Sequence, residues 1–153
     1  MRVLGPIVSA LVAALAISCS PQAAVTPRDA FRDLKEAFRA SDAAALERQL
    51  SQDSRANIRE AAALFSRMDD RQLAALSGKL GVPADRLKRL SVRDYCAIAL
   101  AYDRERNVVR VATGQDIVGV NKKGNRAVIR VANGMDLPFV KEGPYWKFDM
   151  TLL

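Results

Sequence analysis

Along the first two-thirds of the chain apolar residues recur every three or four positions, and along the remainder they recur every second position. Thr26-Pro27, an N-cap residue followed by proline at the first helical position, predicts a helix start. Behind it Phe31, Leu34 and Phe38, with Ala30 and Ala37 beside them, form one apolar face, and Arg32, Asp33, Lys35, Glu36 and Arg39 cover the other. Ser41-Asp42 recaps the chain for a short helix ending near Leu50. Ser54 then starts a longer helix through Ile58, Ala61, Ala62, Phe65 and Met68, and Asp70 caps the next, through Leu73, Leu76 and Leu80 to Gly81. Pro83 to Leu90 reads as a further short helix. Val92 to Tyr102, nearly all apolar beyond Arg93 and Asp94, reads as a helix buried on most sides.

Beyond Asn107 the period changes to two. Val109 and Val111 alternate with Val108 and Arg110, Ala127, Ile129 and Val131 with Val128, Arg130 and Ala132, and Trp146, Phe148 and Met150 with Tyr145, Lys147 and Asp149, so these stretches are predicted as strands. Turn formers separate them at Lys122-Lys123-Gly124-Asn125, Asn133-Gly134 and Glu142-Gly143-Pro144. Asn133-Gly134 is the pair that a type I′ turn favours, with positive φ at both central positions. The predicted class is α+β: N-terminal helices packed on one face of an antiparallel β-meander of about four strands. Alternation alone does not say whether the Val128, Arg130, Ala132 side of that sheet is buried or free to pair with a second copy.

The chain begins with Met1-Arg2 and the apolar stretch Val3 to Ile17, the layout of a secretory signal. It is shorter than the roughly 20 apolar residues that a membrane-spanning helix needs. Leu15-Ala16-Ile17-Ser18-Cys19 resembles the lipobox of bacterial lipoproteins, with Ala16 standing where leucine is commoner. The resemblance implies a signal peptide at 1–18, acylation of Cys19 as the mature N-terminus, a lipidated tether at 19–25 and a folded domain at 26–153. It also implies a lipid-anchored address in the cell envelope, and Ser20 after the cysteine suggests the periplasmic side of the outer membrane. The competing reading is an ordinary signal peptide cut after Ala23 or Ala24, with Cys19 unmodified.

The 24 Lys and Arg against 17 Asp and Glu give a formal charge of +7, and histidine is absent. Without histidine the commonest general base, the Ser-His and Cys-His nucleophile pairs and most zinc sites are excluded, and no cofactor or metal is expected. The excess charge suits either solubility or adhesion to an anionic surface. Leu73 to Leu90 superficially resembles a helix-turn-helix with a basic second helix at Arg86-Leu87-Lys88-Arg89. An export signal and ordinary helix packing argue against DNA, so no nucleic acid partner is expected.

The order of elements resembles the nuclear transport factor 2-like, or cystatin-like, superfamily. The residues carrying the likeness are Phe31 to Phe38 with Asp42 to Leu46, and the closing hairpin Leu137 to Phe148 with its Tyr145-Trp146-Lys147-Phe148. What the resemblance implies is a curved sheet closed by helices into a cone, with Tyr95, Cys96, Tyr102 and Trp146 as its candidate pocket. Enzymes of that superfamily use buried acids and phenols, for which Asp94, Asp103, Tyr95, Tyr102 and Tyr145 are the available groups. Asp94, however, lies in the first turn of its helix, where an acid complements the dipole. Tyr95 and Tyr102 have the spacing of two core tyrosines on one face, and Cys96 reads as a small core hydrophobe. The favoured expectation is a noncatalytic envelope lipoprotein that binds a small apolar ligand or another envelope protein. The alternatives are a small enzyme using a Tyr/Asp pair and a lipoprotein adhering through its basic face.

Overall fold

The computed structural model describes residues 24–101 and 107–153. Helix α1 (Pro27–Ala40) opens on a reciprocal cap. The Thr26 hydroxyl accepts the Asp29 amide at 3.1 Å, and the Asp29 carboxylate accepts the Thr26 amide at 3.2 Å, satisfying two donors that the first turn would leave orphaned. Its buried stripe includes the predicted Ala30, Phe31, Leu34, Ala37 and Phe38. Asp42 caps α2 (Ala43–Gln49), as expected.

The next two helices start earlier than predicted. Ser51 rather than Ser54 caps α3 (Gln52–Arg67), its hydroxyl accepting the Ser54 amide at 3.0 Å. Asp69 rather than Asp70 caps α4 (Asp70–Leu80), accepting the Gln72 amide at 2.8 Å. In each case two residues of capping chemistry compete, and the one that reaches the third amide of the helix is the earlier. Helix α4 ends at Gly81, whose φ of 65° is left-handed, and α5 (Ala84–Lys88) follows.

Helix α6 (Val92–Ala101) buries Val92, Cys96 and Leu100, one residue per turn, while its other positions are half-buried or exposed. It is enclosed along one stripe rather than on most sides. The larger correction concerns Val108 to Val111, predicted as a strand. Residues Val108–Thr113 form helix α7, because the Asn107 carboxamide accepts the Arg110 amide at 3.1 Å as an N-cap and the turn packs Ala112 and Thr113 fully into the interior. A local cap and a burial site together outweigh the strand preference of three valines.

The sheet is a simple meander of β1 (Ile117–Lys123), β2 (Arg126–Val131), β3 (Asp136–Glu142) and β4 (Tyr145–Phe148), every neighbour antiparallel. This is the predicted α+β layout of helices on an antiparallel sheet. The β2–β3 connection is not the type I′ turn expected from Asn133-Gly134: only Gly134 has positive φ, 85°, and the Gly134 amide bonds the Val131 carbonyl across a three-residue loop. Met150, predicted within the last strand, lies in a 3-10 turn (Met150–Leu152) capped by Asp149.

Ala127, Ile129, Val131, Leu137, Phe139, Trp146 and Phe148 point into the helices and are at most 3% exposed. Val128, Arg130 and Ala132 therefore lie on the outer face, where Arg130 grips Asp136 through two bonds of 2.8 and 2.6 Å. The main core joins these strand residues to α1, α2, α6 and α7. Leu73, Val82 and Leu87 form a second small core under the α4–α5 pair. Among the described residues no helix is long and apolar enough to cross a membrane.

Candidate functional site

Cys96 and Trp146 each lie 1% exposed in the main core, and Tyr95 packs half-buried against it. Tyr102, Asp103 and Cys19 lie outside the described residues. Phe139 and Phe148, cross-strand neighbours on the face that carries Trp146, meet at 5.7 Å with a 57° tilt. Burial pushes the Cys96 thiol up to about 12, the Glu47 charge adding to it, so the group stays protonated. Burial likewise raises the Tyr95 phenol. Asp94 is committed to its helix: its carboxylate accepts the Ser91 hydroxyl at 2.6 Å and the Ser91 amide at 3.1 Å, and these bonds hold its carboxyl below the ordinary value. Tyr145 is 40% exposed on the opposite side of β4 from Trp146.

A groove that combines an apolar wall with positive charge lies elsewhere, between α1 and α7. It measures about 290 Å³ and is lined by Lys35, Phe38, Arg39, Arg110, Thr113 and Gly114. The Asn107 cap sets α7 so that the Arg110 guanidinium lies 5.8 Å over the Phe38 ring. One Arg110 nitrogen donates to the Phe38 carbonyl at 2.8 Å and to the Ser41 hydroxyl at 3.2 Å, closing the C-terminal turn of α1. Its Nε is buried with no hydrogen-bond partner among the described residues. Lys35 is half-buried beside it, and Arg39 at the rim is paired with Glu36 at 2.8 Å. Strand alternation over Val108 to Val111 gives Arg110 no partner on α1, so the sequence pattern does not point to it. The signal that finds it is Asn107, three residues earlier and able to cap.

A buried polar cluster joins the two ends of the fold. Ser51 donates to Ser54 at 2.8 Å, Ser54 accepts the Met150 amide at 2.9 Å, and Asp149 accepts the Thr151 hydroxyl at 2.6 Å. Ser51 and Ser54 are fully buried, and the Ser54 hydroxyl donates in turn to Asp149 at 3.3 Å, so the cluster is a clasp between α3 and the end of β4. In the segment resembling a helix-turn-helix, α5 is a five-residue helix whose Leu87 faces inward. Its basic side chains are met by carboxylates, Arg86 by Asp94 at 3.7 Å, Lys88 by Asp70 at 2.7 Å and Arg89 by Asp85 at 3.2 Å. Among the described residues no group of His, Cys, Asp and Glu side chains could hold a metal ion. Compared with known proteins, the chain matches no family model, no curated protein and no solved structure.

Proposed function

We propose that this chain is a bacterial envelope lipoprotein, anchored through acylated Cys19, whose domain binds an amphipathic anion of the fatty-acid type rather than catalysing a reaction. The observation carrying the binding half is the α1–α7 groove. Phe38 supplies an apolar wall, and half-buried Lys35 beside the Arg110 guanidinium supplies positive charge. The anchoring half rests on the lipobox-like Leu15 to Cys19. The noncatalytic reading is supported by Asp94, held ionised as a helix cap, and by Cys96, buried as a neutral thiol. The likeness of layout to the nuclear transport factor 2-like superfamily belongs to the same proposal, with the groove outside the core serving in place of a cone pocket.

Titration with the fluorescent fatty acid cis-parinaric acid tests the groove. Saturable binding is expected, weakened about tenfold by Lys35→Gln and by Arg110→Gln, the loss typical of one charged hydrogen bond. Because Arg110 also closes the end of α1, Lys35→Gln separates binding from folding. Absence of saturable binding, or binding that neither substitution changes, would contradict the reading.

A further inference from the structure

We propose that the end of the sheet bearing the β1–β2 and β3–β4 hairpins docks on anionic phospholipid head groups and faces the membrane. In a four-stranded meander these two hairpins share one end, and the β2–β3 loop lies at the other. Four cations gather at the hairpin end. Lys123 and Arg126 pair across the first hairpin, Lys122 directly precedes them, and Lys141 stands opposite Trp146 in the second. All four are exposed, and none makes an ion pair among the described residues. Several cations elsewhere are paired where they stand, Arg39 with Glu36, Lys88 with Asp70, Arg93 with Glu47 and Arg130 with Asp136, and the other exposed cations without an ion pair among the described residues, such as Arg28, Arg59 and Lys79, lie on helices rather than at this end of the sheet. Glu142, the carboxylate of the second hairpin, is turned to other work: it accepts the Gln52 amide and faces Arg55 at 3.8 Å. The Lys122 ammonium lies 5.5 Å over the Trp146 ring, which fixes one of the four charges against the fold. Exposed Tyr145 at the hairpin tip is of the amphipathic type that favours a membrane interface.

The course of the chain points the same end at the bilayer. The Trp146 amide donates to the Ala24 carbonyl at 2.9 Å, so Ala24 sits beside Trp146, across the ladder from Lys141. Residues 20–23 alone separate Ala24 from Cys19, and five extended steps reach about 17 Å at most. If Cys19 carries the anchor, the cationic end is confined to about two Debye lengths from the head groups, where each Lys or Arg adds to the attraction. The tether argument rests on acylation of Cys19, while the clustering of unpaired charge does not.

Amine footprinting of the full chain, in the processed form the cell makes, separates the two. The protein is bound to vesicles of phosphatidylglycerol and phosphatidylethanolamine, and in parallel to phosphatidylcholine alone, then briefly acetylated and read lysine by lysine by mass spectrometry. Lys122, Lys123 and Lys141 are expected to react at least about threefold more slowly on the anionic vesicles, with exposed Lys79 of α4 unchanged. Equal rates on both vesicles, or equal slowing at Lys79, would overturn the proposed surface. The same spectra report Cys19. Protected lysines on an unacylated chain support the surface and remove the anchor, and an acylated chain with unprotected lysines keeps the anchor and removes the surface.

Discussion

Single side chains in this fold take their chemistry from what surrounds them. Cys96 sits on the buried stripe of α6, and burial holds its thiol neutral far above the ordinary range of about 8.5. Native protein at pH 8 is therefore expected to leave Cys96 unreactive toward a disulfide-exchange reagent until denaturant is added, whereas prompt reaction in buffer would place the thiol at the surface. Asp94 shows the opposite case. Its folded pKa is depressed by Ser91, so its contribution to stability is present above the unfolded value of about 3.9 and is lost as pH falls through the lower folded value. Denaturant midpoints measured for the parent and for Asp94→Asn should converge toward pH 3 and separate at pH 6, with the parent the more stable. A constant difference across that range would contradict the assignment.

At the scale of elements, caps and turns decide where the regular structure begins and what type it is. Asn107 governs α7, and Asn107→Ala should lower stability by at least about 1 kcal/mol by removing the cap and the 2.7 Å bond to the Ala99 carbonyl, with Asn107→Asp recovering only part, because it keeps the capping oxygen but sets a carboxylate against that carbonyl. Thermal melts of the three proteins check the order. The element types were legible wherever periodicity and cap agreed, as in α1, whose apolar stripe and Thr26-Pro27 start coincide. They were illegible where two signals conflicted. Val108, Val109 and Val111 carry strand preference, yet the segment is one short turn whose fate depends on Asn107 and on contacts with α1 distant in sequence. The same conflict hid the groove, because a helix places Arg110 over Phe38 and a strand would not. The starts of α3 and α4 slipped for a smaller reason: Ser51 and Ser54, or Asp69 and Asp70, offer the same oxygen, and only the geometry of the first turn chooses. Asn133-Gly134 marked a hairpin correctly but not its loop length, which the Val131 to Met135 pairing sets.

The whole molecule divides its surface by charge. Three cations of the α5 region, Arg86, Lys88 and Arg89, are met by carboxylates, while the hairpin end of the sheet carries four that make no ion pair among the described residues, with Ala24 bonded to Trp146 beside them. Ala24, two residues before Thr26, is part of the main core. That arrangement connects the proposed anchor, the basic surface and the outward groove on α1 into one account, in which the domain hangs close to a bilayer and binds an anion of lipid type. Cys19 is the hinge of that account. Intact mass spectrometry of membrane fractions from cells expressing the full chain, beside a Cys19→Ser variant, tests it most directly. A species starting at Cys19 and carrying acyl chains, absent from the variant, is expected. A chain retaining residues 1–18, or cut after Ala23 or Ala24 with no acyl mass, would contradict it.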